Sequence, residues 1–527
     1  MNRENKPGSI GIIGGGVAGL IAGCYARMNG YEADIFESHS QPGGLCTSWK
    51  KGDDYTIDGC IQWLVGTAPH SGFHKGWLEV GAMQGRTFIQ HDFFTSFESP
   101  NGKRVYLYSN VDKLEGHLLD FSPPDTKLIR SMCANIRFFA KVDAKQWTLK
   151  DLFLAPAYIL NLIRAFRTKT PDFAKKFKDP FLREVFNLAG MEKFPIAILF
   201  ITLAWHHNQN GGYPVGGSLA FARAIEKRFL DLGGRIHYLS QVERILVQEN
   251  RAVGIRLHDG TERPFDRVIS AADGHLTFEH LLAGSYNHEK LYRRFLKLEP
   301  FKSMVMVSFG VRRDMTEEPH FLFAPLKEAW VVAGEQQKHL SIRHYGYDPT
   351  LAPPGRTILQ VGIAGGYDHW KKLHEDRPRY DEEKQALAQK ILSLLEERYP
   401  GISKQVEVVD VATPVTFERY THNWRGSIEG WLPDFNSMMN PLPKTLKSLK
   451  GLYFAGQWVQ PGGGLPTCLM TGRGIIKTIC KEDGRRFTAS QPEPPLPLGL
   501  NPTSPAKGSA EEKLKTSENK SKSVSHR

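Results

Sequence analysis

The residues with the plainest chemical meaning lie in SIGIIGGGVAGLIAGCYARMNGYEADIFES, residues 9–38. An apolar strand ends in Gly14-x-Gly16-x-x-Gly19, a helix follows through Met28 with Gly30 placed to cap it, and a second strand finishes at Glu37. Gly14 makes the tight turn, Gly16 lets the backbone approach a pyrophosphate, and Gly19 permits close helix–strand packing. Val17 and Ala18 sit in the first helical turn, whose partial positive charge faces the phosphates. Glu37, about twenty residues beyond the loop, can accept hydrogen bonds from ribose hydroxyls and repels a 2′-phosphate. Such a unit holds the adenosine diphosphate half of a dinucleotide, and NAD and FAD both carry one.

The choice between them rests on residues further along. Gly43-Gly44 follows within ESHSQPGGLCTSW, and then comes YTIDGCIQWLVG. A central segment reads GGYPVGGSLAFARAIEKRFLDLGGRIHYLSQVERILVQENRAVGIRLHDG and leads to DRVISAAD; near the C-terminus stands GLYFAGQWVQPGGGLPTCLMTGRGII. In these segments the sequence resembles the flavin superfamily of amine oxidases, phytoene desaturases, carotenoid isomerases and retinol saturases. The resemblance implies FAD. It implies that the stretch from Glu37 to Gly43 and Gly44 carries the chain past the pyrophosphate, that the backbone of Val242 contacts adenine, and that Gly456, Gln457, Gly463, Gly464 and Leu465 close the flavin site. Glycines 462 to 464 let backbone N–H groups approach the pyrimidine end of the ring. A helix starting near Pro466 points its positive end at the same edge, where it stabilises the anionic reduced form. No His or Cys is assignable to the flavin methyl edge, so non-covalent binding is expected. Amine oxidases usually carry Arg after the glycine pair, where Leu45 stands here; many relatives carry an acid after the closing Ala-Gly, where Gln457 stands.

Groups for substrate chemistry are fewer. Asp58, in YTIDG, matches an acidic position that recurs beside the flavin in the desaturase group, and it also suits a turn before Gly59. Lys302 is a candidate for the lysine that holds a water at flavin N5 in amine oxidases. Trp424 and Trp431, in ERYTHNWRGSIEGWLPD, are candidates for the substrate face of the ring, although large aromatics are common packing residues too. His206, His207 and His344 with Tyr345 read as structural or surface groups. No metal site is expected: there is no HExxH, and Cys24, Cys46, Cys60, Cys133, Cys468 and Cys480 form no CxxC pair.

These residues call for an α/β scaffold: a Rossmann-type FAD-binding domain interleaved with a mixed β-sheet substrate domain and a helical lid. Residues 1–110 and 211–275 are expected to be two parts of the FAD-binding domain, 111–210 a helical region facing substrate and membrane, and 276–430 the substrate domain. Residues 431–487 form the closing segment, and 488–527, rich in Pro, Ser, Lys, Thr and Glu, a disordered tail. A polar periodic helix is expected over Asp381–Arg398 and a buried strand in LKGLYFAGQWV. DLFLAPAYILNLI and FPIAILFITLAW fall short of the roughly twenty residues a membrane-crossing helix needs. Between them IRAFRTKTPDFAKKFKD mixes Phe with Arg and Lys, as at a lipid interface.

With 527 residues the chain is long enough for several folding units, and its composition is that of a globular protein. The net charge of +12 comes without an RNA-binding motif, so no nucleic-acid partner is expected. The polar start MNRENKPGSIGIIGGG lacks the apolar stretch of a secretory signal, and reduced, scattered cysteines fit a cytosol. A cytoplasmic location follows, with peripheral membrane association for a water-insoluble substrate; the oligomeric state is left open. The leading expectation is a phytoene desaturase-like FAD enzyme that moves a hydride to or from carbon of an apolar, carotenoid-, retinoid- or isoprenoid-like small molecule. A redox-neutral carotenoid isomerase using reduced flavin, a flavin amine oxidase and a non-catalytic flavin- or lipid-binding protein are the alternatives.

Overall fold

The computed structural model describes residues 8–144, 160–189, 193–440 and 442–492. The expected polar leader, most of DLFLAPAYILNLI and nearly all of the expected disordered tail lie outside them. Thr488, grouped with the tail by composition, donates its backbone N–H to Asn29 Oδ1 at 2.7 Å.

Strand Ser9–Ile13 lies at the centre of a parallel sheet of five, between Glu32–Phe36 and Arg267–Ser270; Arg235–His237 and Leu452–Phe454 form its edges. Parallel strands are covered on both faces and so read as continuous apolar runs. Ile10, Ile12, Ile35 and Ile269 are accordingly fully buried. Helices Val17–Met28, Gly217–Asp231 and Gly464–Glu482 share one core with this sheet. The strand expected in LKGLYFAGQWV is Leu452–Phe454, buried throughout.

A mixed seven-stranded sheet stands apart from the first. Its order is Val406–Ala412, Met304–Val311, Thr357–Ala364, Glu335–His344, Phe321–Val332, Phe93–Glu98 and Arg104–Tyr108. The hairpin at residues 93–108, grouped with the nucleotide-binding part by its place in the sequence, joins this sheet through parallel pairing of Ser96 and Phe97 with Leu322 and Phe323. Side chains alternate across a strand. Val305, Val307, Leu340, Ile342, Leu359 and Val361 therefore pack on one face against Leu387, Ile391 and Leu395 of helix Arg377–Arg398. That helix starts four residues before the expected Asp381, because the Asp376 carboxylate caps it by accepting from the Arg379 N–H and Pro378 suits the first turn. The opposite face, with Met306 and Ile358, packs on Tyr55, Ile57 and Tyr213.

Helices Val111–Phe121, Thr126–Ala144, Pro180–Ala189 and Ile196–His207 enclose an aromatic core in which Phe177 stacks on Phe186 at 4.6 Å. Ile196–His207 is apolar all round and mostly buried, as such a helix must be. Among the described residues no helix is long and apolar enough to cross a membrane.

Candidate functional site

A cavity of about 1160 Å³, counting its open mouth, runs from Glu37 and Val242 to Leu465 and Cys468. Gly14, Gly16, Val17, Ala18, Gly43, Gly44, Gly456, Gln457 and Gly464 line it as well.

At one end the loop after Ser9–Ile13 and the glycine pair interlock: Gly43 N–H donates to Gly15 O at 2.9 Å, and Gly16 bridges Gly43. A Cβ on Gly16 would find no protein atom nearer than Gly43 O at 3.9 Å, so the missing side chain leaves open space toward the cavity. Glu37 Oε2 accepts from the Gly15 N–H at 2.6 Å and Oε1 from the His39 N–H at 2.8 Å. The carboxylate is thereby held at the cavity edge with lone pairs to spare. An extended path of small residues, an acid at one end and a helix N-terminus at the other fit FAD: the cradle is glycine where a phosphate must approach and carboxylate where hydroxyls must be met.

The other end is built by the closing motif. Gly456 N–H donates to Thr471 Oγ1 at 2.8 Å, and that hydroxyl donates to Thr467 O at 2.7 Å, tying the end of the last strand to helix Gly464–Glu482. Leu45, Cys46, Cys60, Ile428, Glu429 and Cys468 complete the wall. Contact with Cys60 and burial hold the Cys46 thiol well above its ordinary pKa, and burial pushes Cys468 up to about 12. Protonated thiols of this kind serve as small apolar groups, not nucleophiles.

Two expected cofactor residues do not face the cavity. Gly19 is a packing glycine, since a Cβ there would lie 2.0 Å from Gly14 O. Gly463 caps the last helix from behind, against Glu429.

The four candidates for substrate chemistry also fall outside the cavity lining. Asp58 is fully buried as a clasp, accepting from Ser218 N–H at 2.5 Å, Ser218 Oγ at 2.6 Å and Cys60 N–H at 3.0 Å; burial raises its carboxyl against these bonds. Lys302 stands in solvent, its side chain 66% exposed and paired with Glu335 at 3.4 Å. Trp431 is 1% exposed and spends its indole N–H on Trp458 O at 2.8 Å. Trp424 stacks on His275 at 4.2 Å, its backbone N–H bonded to Asp273. Trp458 is the tryptophan that reaches the cavity. His206, His207 and His344 are structural: burial lowers all three, His207 Nδ1 accepts from Val111 N–H, and His344 Nε2 donates to Glu318 O.

Glu429 was missed. It lines the cavity, makes no hydrogen bond or ion pair among the described residues, and is raised by burial to about 7. Its signal was available: an uncompensated acid in GSIEGW, in the segment that precedes the closing motif.

Beside Cys60, the Asp58 segment meets the seven-stranded sheet. Gln360 Nε2 donates to Asp58 O at 2.8 Å and its Oε1 accepts from the Tyr345 hydroxyl at 3.1 Å. Tyr347 follows, edge-on to His91 at 4.6 Å, and His91 stacks on His320 at 3.8 Å. Three residues after Cys60, Trp63 opens a second aromatic cluster with Phe94, Trp205 and His206, at 6.3, 6.0 and 5.3 Å, on the helical part.

The family model described as flavin containing amine oxidoreductase matches residues 17–474. The chain is 26% identical over 493 residues to prolycopene isomerase 1, chloroplastic, from an Oncidium hybrid cultivar, covering 88% of this chain and 82% of that protein. It is 25% identical over 516 residues to the neurosporene-forming phytoene desaturase of Rhodobacter capsulatus, covering 89% and 93%. The crystal structure of an oxidoreductase from Methanosarcina mazei shares the fold, with a TM-score of 0.59 at 16% identity, covering 89% of this chain and 100% of that one.

Proposed function

Because the chain belongs to the flavin containing amine oxidoreductase family and is an FAD-dependent enzyme, we propose that it transfers a hydride between FAD and a carbon of an apolar, unsaturated, isoprenoid-type substrate. The observation that carries this is a pair of aromatic clusters near the Cys60 side of the cavity, one of Tyr347, His91 and His320 and one of Trp63, Phe94 and Trp205, which suit an extended apolar chain. Likeness to a phytoene desaturase and a prolycopene isomerase supports an isoprenoid polyene.

FAD, when bound, supplies the two-electron acceptor or donor. Gly14, Gly16, Val17, Ala18, Gly43 and Gly44 hold its pyrophosphate, Glu37 its ribose and Val242 its adenine. Gly456, Gln457, Gly464 and Leu465 hold the flavin end, and Gly19 and Gly463 shape the loops from behind. In a desaturation one carbon gives up a hydride and its neighbour a proton as the double bond forms; a saturation runs the reverse. Glu429 is the carboxyl placed to exchange that proton. The exposed side chains of Leu160 and Ile163, beside exposed Arg164 and Arg167, serve peripheral docking on a membrane that holds the substrate.

An anaerobic titration tests the proposal. A C40 or C20 polyene bleaches oxidised FAD, or reoxidises dithionite-reduced FAD if the enzyme saturates; benzylamine and polyamines do neither. Rapid bleaching by an amine, with no response to any polyene, overturns it. Likeness to a prolycopene isomerase favours one second reading, isomerisation without net redox change, whose mark is altered polyene geometry with reduced flavin alone.

A further inference from the structure

Arg343 lies on the face of the seven-stranded sheet opposite its helix-packed core, across from Phe321 on one neighbouring strand and Gln360 on the other. Its guanidinium carbon stands 3.8 Å over the Phe321 ring. Among the described residues it makes no hydrogen bond to, or ion pair with, any carboxylate. Part of its surface is uncovered, yet burial is the dominant influence on it and holds its pKa below the ordinary arginine value. On the same face its cross-strand neighbour Gln360 donates to Asp58 O, and the Asp58 carboxylate in turn accepts from the N–H of Cys60, which lines the cavity, so the Arg343 side of the sheet leads to the cavity wall. Tyr347 and His320 lie within electrostatic reach of it, and His91 stacks on His320 at 3.8 Å and meets Tyr347 edge-on at 4.6 Å.

A guanidinium kept from water without a counter-ion is costly, and an aromatic face offsets only part of that cost. Its donors form a rigid fork that matches a carboxylate. The surrounding histidines do not add to its charge. Burial lowers His91 to about 4, His206 to about 3, His344 below its usual value and His320 far below it, so all are neutral near pH 7. One permanent cation in a neutral aromatic setting matches a single negative charge. A diphosphate would bring more charge than the site balances.

We propose that Arg343 binds a carboxylate at one end of the apolar substrate, which is therefore a long-chain unsaturated acid and not a pure hydrocarbon. This rests on the hydride-transfer reading above for the identity of the chain, and on Arg343 alone for its head group.

The test measures binding separately from turnover. Retinoic acid, retinol and retinyl phosphate are titrated into the full-length FAD-loaded protein, with quenching of tryptophan emission giving Kd and flavin absorbance followed in parallel. Retinoic acid binds at least about tenfold tighter than retinol, the scale of one charge-assisted contact. Arg343→Gln removes that preference and leaves the retinol Kd within about twofold, while Arg343→Lys keeps part of it. Should Arg343→Gln fail to fold, the wild-type acid–alcohol ratio and Arg343→Lys still decide. Equal affinity for acid and alcohol, no binding of the acid, or an unchanged preference in Arg343→Gln overturns the proposal, and tighter binding of the phosphate overturns the choice of carboxylate. If no probe alters flavin absorbance while the Arg343-dependent preference persists, the hydride-transfer reading fails and the head-group assignment stands.

Discussion

A Cβ on Gly463 would stand 2.4 Å from the carbonyl oxygen of Glu429, so the start of the last helix and the segment that carries the cavity acid are fixed against each other. Gly463 also has φ 60° and ψ −168°, a region held almost only by glycine. Gly463→Ala therefore combines backbone strain with a steric clash, and we expect a loss of about 2–5 kcal/mol in stability together with depleted FAD. Flavin content and thermal unfolding report both; full FAD occupancy in a stable variant would break the link between this contact and the cofactor site.

The fingerprint glycines should separate by role. Gly16→Val projects into open space, so the protein folds but purifies colourless. Gly19→Ala meets Gly14 O at 2.0 Å and destabilises the fold itself. Circular dichroism and flavin absorbance distinguish the outcomes, and a yellow Gly16→Val protein would remove this loop from the pyrophosphate site.

Glu429 sets a pH dependence. With its carboxyl raised from 4.5 to about 7, a saturating reaction that takes its proton slows as pH rises through about 7, and a desaturating one that gives it a proton speeds up. Glu429→Gln removes that limb and lowers the flavin half-reaction about 10²–10⁴-fold, read by stopped-flow absorbance. The same shift has a sign for folding: the native state binds this proton more tightly than the unfolded chain, so its contribution is full below about 4.5 and lost as pH approaches about 7. An unaltered rate profile in Glu429→Gln would strip the residue of its role.

Membrane docking is checked by sedimentation with phosphatidylserine vesicles at low salt. Arg164, Arg167, Lys169, Lys175 and Lys176 are all exposed, and each basic residue near an anionic surface contributes about 1 kcal/mol. Lys175 contributes least, since Asp172 pairs with it at 3.1 Å. Replacing all five with Gln should abolish salt-sensitive binding; unchanged sedimentation would make the segment an ordinary solvated face.

The nucleotide half of the site was legible because its chemistry is local: Gly14 to Glu37 form one strand–helix–strand unit whose spacing states the ligand. The closing loop was legible for the same reason, through Gly456 and Gly464. What lay hidden depends on contacts between distant segments. Asp58 is silenced by Ser218, Lys302 is turned to solvent toward Glu335, and Trp431 is spent on Trp458. Arg343 gains meaning only when strand pairing sets it across from Phe321. A single helix start was misplaced because Asp376, and not the first apolar repeat, provides the cap.

The parallel sheet has a consequence for biosynthesis. Ser9–Ile13 is made well before its partner Arg267–Ser270, and the edge strand Leu452–Phe454, which pairs with that partner, follows later still. Pairing between such distant segments is slow and leaves unpaired strand edges open to aggregation meanwhile. The emerging chain thus lacks a complete cofactor pocket until the segment around Gly456 and Gly464 is made, so FAD can act as a ligand that captures the completed pocket and draws the chain out of aggregation-prone intermediates. Riboflavin-starved expression should lower the yield of soluble protein, not merely its colour.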